Sequence, residues 1–153
     1  MENETGDLSW YRRVAALLEA EGDGSPHLVI DLDRLEANAR TLRGLVPAGM
    51  NLRLVQKSLP SLPLLRHLAG VLETRSLMVF HRPWVNLYAE RAPEFDLLLG
   101  KPMPVAAARA FYRDFRPGGG FDPEHQLQWL IDADERLAQY QELARGLATR
   151  LSV

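Results

Sequence analysis

From residue 52 onward the apolar and polar positions alternate between two periods. Short apolar-rich runs occur at 52–57 (LRLVQK), 76–81 (SLMVFH), 96–101 (DLLLGK) and 126–132 (QLQWLID). Each predicts a strand. After each comes a longer stretch with apolar residues three and four apart, which predicts helices over 63–72, 84–91, 104–115 and 135–149. Strands of about six residues alternating with helices of about ten or more predict βα units and a parallel sheet, hence an α/β fold. The Pro117-Gly118-Gly119-Gly120 run is the longest loop signal between them.

Upstream the pattern differs. Residues 1–7 are polar. Residues 8–21 predict a helix with Tyr11, Val14, Ala15 and Leu18 on one face, and the Gly-Asp-Gly-Ser-Pro run at 22–26 breaks it. Residues 27–32 (HLVIDL) predict another strand, with Asp33 capping the helix that follows and Glu36 completing a capping box. Leu35, Ala39, Leu42 and Val46 mark that helix's apolar stripe, and Pro47 and Gly49 end it. The expected organisation is an N-terminal helix and linker over 1–25 and one βα-built domain over 26–153.

Two architectures fit four successive βα units. An open doubly wound sheet is complete at this length. The other is part of a (β/α)8 barrel, whose usual size is about 250 residues. The pattern alone favours the first, because it requires no missing half. In both, chemistry gathers at the C-terminal ends of the strands.

Composition narrows the function classes. The chain has 153 residues, 46% hydrophobic and 25% charged, with net charge −2, as in an ordinary globular domain. The weak acidity argues against non-specific binding to nucleic acid or to membrane surfaces. With no cysteine, disulfides, thiolate metal sites and a cysteine nucleophile are excluded. No apolar run approaches the roughly 20 residues of a membrane span, and the opening lacks the order of a signal peptide, so a cytoplasmic protein is expected.

Lys57 and Lys101 are the only lysines, and every other basic side chain of the Lys/Arg class is arginine. Lys57 closes the first strand of the series, on the face of Arg53 and Val55. A lysine there is placed to form a Schiff base, and desolvation would leave more of the neutral amine. From position alone, a solvated strand-end lysine is the default. Lys101, between Gly100 and Pro102, reads as a solvated loop residue. Arg53 lies deeper on the face of Lys57 and is expected in an ion pair. His81 is placed to reach the same strand ends, with a solvent-facing role the plainer reading. Asp132 is expected to cap a helix. His27, His67 and His125 make no metal-ligand pattern, and the Gly118–Gly120 run lacks the residues of a phosphate loop. Trp10, Trp84 and Trp129 read as core or interface residues.

The stretch 26–38 (PHLVIDLDRLEAN) and the stretch 52–58 (LRLVQKS) resemble the opening of the alanine-racemase-type (fold type III) pyridoxal-phosphate (PLP) enzymes. The Leu-Arg-x-x-x-Lys form is most similar to the D-threonine aldolase and D-serine dehydratase-like branch. Residues 96–102 (DLLLGKP) and 129–132 (WLID) look like its third and fourth barrel strands. The resemblance covers about residues 26–150. It implies that Lys57 binds PLP as a Schiff base, and that the substrate is a small D-amino acid or a 3-hydroxy amino acid which displaces that lysine. The cofactor ring would then draw electrons from Cα while the freed Lys57 acts as base, opening racemisation, retro-aldol cleavage or β-elimination.

The resemblance also implies a chain covering about half of a TIM-type barrel, apparently truncated. The family's phosphate-binding loop, the group facing the pyridine nitrogen and the opposing catalytic residues come from later segments with no matching position here. Two rival expectations stand beside it: a non-catalytic half-barrel that forms a homodimer or pairs with another chain, and an unrelated doubly wound domain binding a small molecule.

Overall fold

The structure is a computed structural model and describes residues 8–153. It divides into two compact units, 1–37 and 38–153.

In the first unit, α1 (Leu8–Glu21) forms where the periodicity predicts it. It buries none of its side chains, and Leu8, Tyr11 and Leu17 are exposed. Trp10 Nε1 donates to Asp31 Oδ2 at 2.6 Å, and the Arg34 guanidinium stands 4.9 Å over the Trp10 ring. The strand expected at 27–32 does not form. A strand exists only where a neighbour supplies the ladder, and among the described residues no segment pairs with Leu28, Val29 and Ile30, which are exposed. The next helix, α2 (Leu32–Leu45), consequently starts one residue before the expected cap. Asp31 caps it in place of Asp33: Oδ1 accepts from the Arg34 N–H at 3.0 Å. That backbone bond, with the Trp10 hydrogen bond and the Arg34 charge, holds the Asp31 carboxyl below its ordinary pKa.

The second unit carries the sheet. Strands β1 (Arg53–Val55), β2 (Ser76–Val79), β3 (Asp96–Leu99) and β4 (Leu127–Gln128) are all parallel and lie in chain order β1-β2-β3-β4. Helices α3 (Leu62–Val71), α4 (Arg82–Arg91) and α5 (Val105–Asp114) connect them, with one extra turn, α6 (Pro123–Gln126), before β4. The last helix is α7 (Asp134–Leu147). After it the chain returns beside β4: Ser152 bridges Gln128 in parallel and its carbonyl accepts from Trp129 N–H at 2.9 Å. Nowhere among these strands does the order reverse, as the switch point of a doubly wound sheet requires.

An unreversed order of right-handed crossovers puts the connecting helices on one face of a sheet. The burial pattern agrees. Leu77, Val79, Leu97, Leu99, Leu127 and Trp129 alternate into a continuous core, while Ser76, Met78, Asp96, Leu98 and Gln128 on the opposite face are half-buried. The core is aromatic at its β4 end, where Trp129 lies between Phe111 and Tyr112 of α5 and Tyr140 of α7. Trp129 Nε1 donates to the Tyr112 hydroxyl at 3.2 Å, and the Tyr140 hydroxyl donates to Met103 C=O at 3.2 Å.

Burial pushes the phenols of Tyr112 and Tyr140 up to about 12. In the unfolded chain they titrate near 10. Between these values the folded state holds more protons than the unfolded state, so stability is full below about pH 10 and falls as pH rises towards 12. Urea midpoints are expected to drop steeply between pH 10 and 12, and less steeply in the Tyr112→Phe/Tyr140→Phe double variant. An equal drop in both proteins would disprove the assignment.

Candidate functional site

The C-terminal ends of the four strands bring together Lys57, Phe80 with His81, Gly100 with Lys101, and Leu130. Lys57 is not on the strand as expected. β1 ends at Val55, and Gln56–Ser58 form a single 3-10 turn closed by Leu59 N–H on Gln56 C=O at 3.0 Å. Beyond Val55 the ladder to β2 stops, so backbone groups must pair locally, and a 3-10 turn does this in three residues. The turn buries Gln56 and leaves Lys57 exposed, so the expected desolvation of the amine is absent.

What touches the amine is Phe80. Lys57 Nζ lies 4.6 Å from the ring centroid, within cation–π range. The ring in turn lies against Gly100, where an added Cβ would come 2.5 Å from Phe80 Cζ and 2.8 Å from Met78 Cγ. No carboxylate among the described residues pairs with Lys57. Lys101 is exposed as expected. His81 is exposed too; it precedes α4 without a capping bond and stacks on Trp84 at 5.9 Å.

Below these ends sits the ion pair expected of Arg53. Its Nη2 is 2.6 Å from Asp96 Oδ1, while Nη1 donates to Leu77 C=O at 2.9 Å and to Asp96 C=O at 3.2 Å. Gln128 Nε2 donates to Asp96 Oδ2 at 3.1 Å. These bonds tie β1 to β3 and β4 across the half-buried face. Asp96→Ala is expected to cost about 1–2 kcal/mol in urea melts, since it strands the Arg53 charge. The double exchange Arg53→Met/Asp96→Leu should cost less than the two single changes together. Strict additivity would show that the pair contributes nothing.

Asp132 does not cap α7. Ala133 occupies that position, and Asp132 Oδ1 pairs with Arg136 Nε at 3.2 Å. α7 starts at Asp134, two residues past Asp132, which leaves that carboxylate one position short of the cap. Trp129 is core, Trp84 packs against the core half-buried, and Trp10 has the partners given above. The His, Asp and Glu of the described residues form no group of three that could hold a metal ion. No helix among them is long and apolar enough to cross a membrane.

Family models, curated proteins and solved structures give no match to this chain.

The site can be tested against PLP directly. An exposed amine at a strand end fits the aldehyde of the cofactor. The phosphate is a different matter, because phosphate is commonly held by backbone N–H groups at helix N-termini. Pro63 and Pro83 lie in the first turns of α3 and α4, and Pro104 immediately precedes α5. A proline has no N–H to offer. The first turn of α7 carries Asp134 and Glu135, which repel an anion. The residues present therefore fit the carbonyl end of the group, and the prolines and acidic side chains reduce the donors these helix starts offer its phosphate. Two concavities, of about 340 and 430 Å³, lie elsewhere. The first is lined by Asn86, Glu90, Asp114 and Arg116, the second by Arg66, Thr74 and Glu94.

Proposed function

We propose that this chain supplies the lysine-bearing βα units of a PLP-dependent enzyme of the alanine-racemase type, acting on a small D-amino acid or 3-hydroxy amino acid. Its four units are about half of a (β/α)8 barrel, and Lys57 is the catalytic and cofactor-binding residue. The observation that carries this reading is the placement of Lys57: an exposed amine just past the first strand of a parallel sheet whose order never reverses. In this reading the prolines at these helix starts leave few donors for the phosphate, and among the described residues no group at these strand ends opposes Lys57. What the chain's own residues do is hold an amine at the strand ends and, through Arg53 and Asp96, fix the floor beneath it.

A second reading has a specific observation behind it. Val55, Met78 and Leu98 form an adjacent apolar row on the half-buried face, and parallel sheets are ordinarily covered on both faces. A non-catalytic half-barrel that covers this face by forming a homodimer accounts for that row.

Incubation with PLP, borohydride reduction and peptide mapping separates the two. Condensation joins the lysine nitrogen to the aldehyde carbon with loss of water, and borohydride supplies the hydride that makes the link permanent. A pyridoxyl group predominantly on Lys57 is the expected result. Equal labelling of Lys57 and Lys101 would mean unspecific aldehyde chemistry and leave the non-catalytic reading, and labelling at Lys101 alone would overturn the family reading.

A further inference from the structure

We propose that Phe80, seated on Gly100, is a positioning residue for the Lys57 amine; this rests on the reading that Lys57 is the working amine of the site. Lys57 is exposed and sits on a one-turn element, so its long side chain has open solvent around it. Its Nζ nevertheless lies over the Phe80 ring at 4.6 Å. An aromatic face attracts an ammonium group, and the contact returns the head group to the strand ends each time it leaves.

The ring can take this place because of one residue. The position that a Cβ of residue 100 would fill is 2.5 Å from Phe80 Cζ and 2.6 Å from Phe80 Cε1. Any side chain at 100 must therefore displace the ring. Gly100 is not among the glycines with positive φ, so the backbone there accepts alanine. Its lack of a side chain serves the ring and not the turn. Met78 closes the other side, with Cγ 2.8 Å from the same position. Three successive strand ends thus contribute one part each: the amine from β1, the ring from β2 and the space from β3.

The two-lysine composition makes the test clean. Reductive methylation with ¹³C-formaldehyde keeps the lysine charge and gives one signal from each lysine and one from the N-terminus, assigned with Lys57→Arg and Lys101→Arg. In the wild-type chain the Lys57 methyl signal is expected upfield of Lys101, from the Phe80 ring current. Phe80→Leu should bring it to the Lys101 position, Phe80→Trp should keep it displaced, and Gly100→Ala should reduce the displacement by pushing the ring away.

Coincident lysine signals in the wild type, or a Lys57 signal unmoved by Phe80→Leu, would overturn the proposal. If Phe80→Leu fails to fold, Gly100→Ala decides alone: an undiminished displacement there also overturns it. A ring-current shift without selective labelling would instead sink the PLP reading and leave Phe80 as the residue that positions the amine.

Discussion

Lys57→Ala is expected to eliminate the pyridoxyl adduct from the peptide spanning residue 57, and Lys57→Arg is expected to do the same. The second variant is the more telling. Arginine keeps the positive charge and the long stem, so it preserves the contact with the Phe80 ring and any electrostatic attraction of phosphate. A guanidinium stays protonated, however, and cannot form the carbon–nitrogen double bond. Adduct yield should therefore drop to background in both variants, while Lys101→Ala leaves it unchanged. If Lys57→Arg still yields a borohydride-stable adduct at full level, the aldehyde reacts elsewhere and Lys57 is not the site. The comparison is informative because both lysines are exposed, so solvent access alone does not favour one over the other.

Trp129→Ala is expected to give the largest loss of stability of any single exchange considered. Trp129 is 1% exposed, and its ring lies 5.7 Å from Tyr140, 6.3 Å from Phe111 and 6.3 Å from Tyr112, centroid to centroid. Truncation removes the buried ring, leaves a cavity among three aromatic side chains and takes a donor from the Tyr112 hydroxyl. Trp-to-Ala exchanges in cores cost about 3–5 kcal/mol. For a chain of this size that lowers Tm by roughly 10 °C or more. Trp129→Phe, which keeps an aromatic ring, should recover most of it. A loss below about 1 kcal/mol would show that α5 and α7 do not close over β4 as described.

The helices were readable from the sequence because an apolar stripe is a property of one segment. α1 matches its expected span, and α3, α5 and α7 match within two residues at each end. Four of the five expected strands were readable in place but not in length. Val79 pairs with Leu99, yet Phe80 and His81 have the composition of a strand and no ladder partner. The same gap explains residues 27–32, where a strand-like sequence has no neighbour to pair with. Lys57 was legible as a strand-end residue, and its 3-10 turn was not, because the turn follows from where the ladder to β2 stops. The Phe80 and Gly100 contact depends on register between strands; the only trace of it in the sequence is a glycine after three leucines. Arg53 was legible as a paired residue, and the identity of Asp96 as its partner required the register of three strands.

The chain-ordered sheet has a consequence for how the second unit folds. Arg53 pairs with Ser76, Ser76 with Asp96 and Leu97 with Leu127, so each step between neighbouring strands closes a loop of only some 20 to 30 residues. Loop-closure entropy grows slowly with length but is imposed at every long-range contact, and parallel sheets owe their slow folding to the distant pairings they usually require. Here no strand waits for a remote partner to be made. Each βα unit docks on the one completed just before it, so the sheet can grow by addition at one edge in the direction in which the chain is synthesised.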